Sequence, residues 1–120
     1  GPYDINSFAV TAAFAALKDQ ASVDGYVAEV LLGKPDVLIL GVGGGAKVYD
    51  GAEAAAVVRE LSPKRVIPVQ YVSGTTPKNC DQSSVEPFLE ALKGTSVKRV
   101  GRVLSLPGKL SDTTQIDVMR

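Results

Sequence analysis

Asp36-Val37-Leu38-Ile39-Leu40-Gly41-Val42-Gly43-Gly44-Gly45 decides how this chain is read. Val37 to Leu40 is apolar at every position, without alternation. That pattern suits a parallel strand covered on both faces. Pro35 and Gly41 bound the run, which favours a strand over a short stretch of buried helix. The glycines permit a tight turn and a close approach to the backbone.

Downstream, helix and strand signals alternate. Asp50-Gly51-Ala52-Glu53 has the form of a capping box with Asp at the cap. The helix it opens runs to about Leu61, with Ala54, Val57, Val58 and Leu61 as its buried stripe, and Pro63 ends it. Arg65 to Gln70 reads as the next strand. Pro68 cannot donate to a ladder, which places it at an edge, at a bulge or near the strand's end. Ser73 to Ser84 is a long polar loop. Ser83 or Ser84 then caps a helix to about Lys93, with Val85, Phe88, Leu89 and Leu92 as its apolar stripe and Gly94 as its stop.

Strand, helix, strand, helix, strand from Asp36 to Leu104 predicts parallel strands joined by right-handed crossovers. The last section differs. Leu106-Pro107-Gly108-Lys109 reads as a turn. Thr114 to Met119 alternates, with Ile116 and Val118 on one side and Gln115 and Asp117 on the other. A half-exposed strand antiparallel to its predecessor is expected there. The fold class is therefore α/β, with parallel core strands and a C-terminal antiparallel hairpin.

Upstream of Pro35, two helices are expected. Ile5, Phe8, Ala12, Ala15 and Ala16 share one helical face. Tyr26, Val27, Val30 and Leu31 form the stripe of a second helix, stopped by Gly33. Residues 1–120 are read as one domain, with 1–33 as a helical N-terminal segment. Gly1-Pro2 is compatible with a native start or with a protease-cleavage scar.

Composition narrows the function. Lys plus Arg and Asp plus Glu stand at thirteen each, which offers no net charge to attract nucleic acid or an anionic membrane. No apolar run approaches the roughly 20 residues of a membrane helix, and no signal-peptide pattern opens the chain. Cys80 is the single cysteine, consistent with a reducing compartment, so a cytoplasmic location is expected. The chain has no histidine. Histidine-based acid–base catalysis and imidazole metal ligation by this chain are excluded, and Cys80 alone leaves a zinc site short of thiolates. No catalytic residue, metal ligand or cofactor is assigned.

Two loops carry the candidate ligand contacts. Gly43, Gly44 and Gly45 follow the first strand, and a glycine-rich turn there can offer N–H groups to phosphate. The spacing departs from the dinucleotide fingerprint, because Ala46 stands where the third glycine belongs and the helix opens only near Asp50. A turn that merely redirects the chain is the favoured reading, with ligand contact the alternative. Gln70, Tyr71, Ser73 and Thr75 open the second loop, which continues to Cys80. Strand carboxyl ends are where open α/β sheets place ligands, so both loops are expected to face one pocket. The alternative is a solvated connector. Lys98, Arg99 and Arg102, near Lys93, form a small basic group that could meet phosphate, with a solvated strand face the favoured reading.

From Pro35 to about Lys109 the chain resembles the C-terminal half of metallo-β-lactamase-fold hydrolases, closest to the subgroup related to sugar-phosphate lactonases. The pieces are Pro35 to Leu40 with the glycines after it, Asp50 to Ala55 opening a helix, Ser62 to Tyr71, Phe88 to Leu92, and Val103 to Pro107. The resemblance implies one half of a layered α/β hydrolase fold. It also implies a metal-binding histidine where this chain has Gln70. The family's main histidine-rich metal motif belongs to an N-terminal half with no counterpart here. A fragment or a degenerate domain without metal-dependent catalysis follows from that. A half fold leaves one sheet face to cover, so a homodimer or a missing N-terminal half is the expected partner. A small α/β domain binding a phosphate-bearing ligand and a self-associating structural module are the competing classes.

Overall fold

The structure is a computed structural model that describes residues 35–120. The helical segment expected over 1–33 lies outside the described residues. The elements are β1 (Val37–Gly41), α1 (Gly51–Leu61), β2 (Arg65–Val69), α2 (Glu86–Ala91), β3 (Ser96–Arg99) and β4 (Gln115–Val118). The four strands form one sheet in the order β1-β2-β4-β3. Every neighbouring pair is parallel.

The parallel character of β4 corrects the expected antiparallel hairpin. A proline–glycine turn near residue 107 is compatible with a hairpin, but residues 100–114 instead carry the chain from the end of β3 back to the start of β4. Val97 then pairs with Ile116, and Lys98 with Asp117, in the same direction. β4 therefore lies inside the sheet, between β2 and β3. It is not a half-exposed terminal strand: Ile116, Asp117 and Val118 are all buried.

One face of the sheet packs on α1 and α2. Leu38 and Leu40 of β1, Val66 of β2, and Ile116 and Val118 of β4 alternate onto that face, as strand geometry requires. They meet Ala54, Val57, Val58 and Leu61 of α1, with Phe88 and Leu92 from α2 and the turn after it. The predicted stripe of α1 is buried, as are Val85, Phe88 and Leu92 of the second stripe, while Leu89 is only half-buried against them. Gly51 allows the two helices to approach: a Cβ there falls 2.5 Å from the Phe88 nitrogen.

Local chemistry explains the boundaries. Asp50 accepts from the Glu53 N–H at 2.8 Å, and Glu53 accepts from the Asp50 N–H at 3.2 Å, closing the capping box. Serine does not cap α2. Val85 holds the cap position, and the Ser84 hydroxyl accepts from the Glu86 N–H instead. The helix stops at Ala91, two residues short of the expected Lys93, and a turn ending at Gly94 (φ 97°) follows. Pro68 sits in a strand with neighbours on both sides. Its missing donor is tolerated because the β2–β4 bridges end at Val66.

The opposite sheet face is mixed. Val37, Ile39, Ile67 and Val69 are half-buried there. Arg65 and Asp117 are buried on the same side. The Arg65 guanidinium donates to the Lys64 carbonyl at 2.8 Å and to the Ser111 hydroxyl at 3.4 Å. Among the described residues, no helix is long and apolar enough to cross a membrane.

Candidate functional site

The two loops expected to converge do lie side by side at the carboxyl ends of β1 and β2. Gly43 packs directly on the backbone of Gln70 and Tyr71, where any side chain would overlap the Gln70 carbonyl. Its own carbonyl accepts from the Ser83 N–H at 2.7 Å. Val72 in turn donates to the Ser83 carbonyl at 2.9 Å, so the long loop folds back across the glycine turn.

That turn is satisfied from within. Gly44 donates to the Tyr49 carbonyl at 2.7 Å. Gly44 and Gly45 have φ values of 77° and 82°, a left-handed bend open to glycine at little cost. The Asp81 carboxylate accepts from the Ala46 N–H at 3.1 Å and lies against Gly45. A carboxylate therefore stands where a phosphate cradle would receive its anion. It repels a second negative charge at short range. Gln70 is exposed, with φ 54°, just beyond β2. Thr75 is exposed in the loop.

A cavity of about 680 Å³ opens nearby, on the β4–β3 side of the β2 loop. Tyr71 and Ser73 line it; Gly43, Gly44, Gly45, Gln70 and Thr75 do not. Its other walls come from the start of α2 and from the carboxyl ends of β3 and β4. The Tyr71 hydroxyl donates to the Met119 carbonyl at 3.2 Å and braces the β2 loop against the end of β4. Arg99, at the end of β3, donates to the Glu86 carboxylate at 3.0 Å. Both side chains are mostly exposed, so the pair contributes about 0–1 kcal/mol.

Arg99 and Glu86 join the lining of this cavity, although the sequence points to no site for Glu86 and favours a solvated strand face for Arg99. Arg99 reads as one of several cations on an open strand. Only the insertion of β4 between β2 and β3 brings it opposite Ser73 and the start of α2. The spacing of the two residues carried no such signal.

The metal chemistry implied by the resemblance does not fit these residues. The chain has no histidine. Among the described residues, no group of three or more histidine, cysteine, aspartate or glutamate side chains is placed to hold an ion. Cys80 stands as a free thiol. A zinc centre needs three or four protein donors, and the described donor set does not supply them.

Comparison with known proteins agrees with the fold. A family described as "Beta-lactamase superfamily domain" matches residues 26–70. A Thermotoga maritima protein, provisionally described as a Zn-dependent hydrolase of the metallo-β-lactamase superfamily, superposes with a TM-score of 0.55 at 29% sequence identity. The alignment covers 71% of this chain and 42% of that one. The chain thus spans less than half the length of the protein it matches. No curated protein matches the sequence. The α/β fold is of the metallo-β-lactamase type, and the matches support a domain of that superfamily.

Proposed function

We propose that this chain is one half of a metallo-β-lactamase-type hydrolase architecture, of the sugar-phosphate lactonase-like subgroup, and that it carries no metal-dependent hydrolysis by itself. The donor set carries the reading. Gln70 follows directly on β2, where the resemblance calls for imidazole, and no histidine exists in the chain to compensate. An amide oxygen is a weak ligand for zinc. The chain serves as a scaffold in this reading, whether as a piece of a longer protein or as a domain that has lost its catalytic site.

Metal titration of purified protein tests it. Isothermal titration with zinc is expected to show no stoichiometric site, and metal analysis after dialysis no retained zinc or iron. One equivalent of tightly held metal overturns the reading. Gln70→His on this chain alone is expected to leave it metal-free, because a single imidazole falls short of three protein donors.

The half-buried apolar face of Val37, Ile39, Ile67 and Val69 favours a companion reading in which a second copy or a complementary half covers the sheet. Sedimentation velocity tests self-association: a dimer that Ile39→Lys dissociates is expected, and a monomer at all concentrations removes it.

A further inference from the structure

We infer that the cavity between the β2 loop, the start of α2 and the ends of β3 and β4 binds a small organic anion, with Arg99 holding its phosphate or carboxylate group. This goes beyond the scaffold reading and does not depend on it.

Topology opens the cavity. From β2 the chain crosses through α2, packed on the core face, and reaches β3 two strand positions away. From the end of β3 it returns to β4 through residues 100–114. That return lies against the other face, where Ser111 meets the Arg65 guanidinium. The two connections leave the sheet on opposite sides of β4. A crevice forms at the carboxyl ends where connections part in this way, and open α/β sheets place ligands there. Its volume of about 680 Å³ falls within the roughly 300–1,000 Å³ typical of small-molecule sites.

The walls are held in place. Val100 donates to the Val118 carbonyl at 2.9 Å, and Arg120 donates to the Gly101 carbonyl at 3.2 Å, extending the β3–β4 pairing past both strands. The Tyr71 hydroxyl ties the opposite wall to Met119. Val85 and Val118 supply a buried apolar surface, and Ser73 and Ser84 add hydroxyls. A small molecule with an apolar body and one anionic group matches that division.

Arg99 supplies the charge. Its contact with Glu86 is through one terminal nitrogen at 3.0 Å. A planar guanidinium offers five donors and suits a bidentate oxyanion. A ligand anion therefore competes with Glu86 for Arg99, which sets opposite signs for the two partners. Removing Arg99 removes the anion's counter-charge. Neutralising Glu86 releases Arg99 and removes a repelling carboxylate.

The test is NMR titration of the 120-residue chain with inorganic phosphate and, separately, with succinate. Saturable shifts are expected at the Ser73, Ser84 and Gly101 amides with at least one probe. The probe that binds decides between phosphate and carboxylate. Arg99→Ala is expected to weaken binding about tenfold, and Glu86→Gln to strengthen it several-fold, as loss and release of one charge-assisted contact require. Circular dichroism checks that both variants stay folded, which their exposed positions favour. Absence of saturable shifts with either probe overturns the inference. So do shifts confined to residues 43–46, equal responses from both variants, or an affinity that Arg99→Ala leaves unchanged.

Discussion

The Arg65 guanidinium lies 3.9 Å from the Asp117 carboxylate, on the sheet face turned away from α1 and α2. Asp117 is 1% exposed and Arg65 8%. The Gln115 amide donates to the same carboxylate at 2.6 Å. A buried charge joined to its partner at this distance depends on the whole group, because each member left alone is an uncompensated charge away from water.

Asp117→Ala is expected to destabilise the domain by about 3 kcal/mol or more, because it strands the Arg65 guanidinium. Arg65→Met combined with Asp117→Leu removes both charges and is expected to cost far less, under about 1 kcal/mol, as apolar replacement of buried pairs often does. Urea denaturation of the wild type and both variants measures the difference. Equal losses in the single and double variants contradict the coupling.

The same pair shows where the sequence stopped being legible. In β1 and α1 each local signal agrees with the tertiary result: an unbroken apolar run gives a buried strand, and Asp50 with Glu53 gives a capped helix. In β4 the alternation of Gln115, Ile116, Asp117 and Val118 suggests one wet face. Asp117 is dry because Arg65, 52 positions earlier, meets it, and single-strand periodicity contains nothing about a cross-strand charge. Strand order was hidden for a related reason. A turn near Pro107 fits a hairpin locally, and only packing decides that β4 enters between β2 and β3. The glycine turn and the Gln70 loop do meet, but the cavity lies where β4 spreads β2 from β3, beside Arg99.

Gly43 is a position where a methyl group is expected to be felt strongly. A Cβ there overlaps the Gln70 carbonyl oxygen and comes within 2.8 Å of the Tyr71 Cα, both backbone atoms that cannot swing aside. Gly43→Ala is expected to cost about 1–3 kcal/mol, the usual range for forced overpacking. Gly108→Ala has open space around it and is expected to stay within about 0.5 kcal/mol of wild type. Thermal melts of the two variants make the comparison, and an unchanged midpoint for Gly43→Ala contradicts the close approach of the loops.

Helix α1 offers a cleaner case of a local cap. Asp50→Ala removes the side-chain acceptor of the Glu53 N–H and leaves only the Glu53 contact to the residue-50 N–H. The expected loss is about 1 kcal/mol, typical of an N-cap deletion, with Asp50→Asn or Asp50→Ser retaining most of it. A loss for Asp50→Asn as large as that for Asp50→Ala assigns the role to charge at the helix end instead of hydrogen bonding.

Asp81 fixes the glycine turn from a distant point in the chain, 35 residues from Ala46. With that carboxylate gone, the Ala46 N–H loses its acceptor and the left-handed bend at Gly44 and Gly45 loses its outer support. Asp81→Ala is expected to cost about 0.5–1.5 kcal/mol, the net worth of one such hydrogen bond. The effect is local, so hydrogen exchange at Ala46 is expected to accelerate while amides of α1 and β2 keep their protection. Asp81→Asn preserves an acceptor oxygen and is expected to restore most of the protection at Ala46. Binding of phosphate at Arg99, on the far side of the β2 loop, is expected to be unaffected by either change. A response of the Arg99 site to Asp81→Ala as large as its response to Arg99→Ala means that the two loops act as one unit.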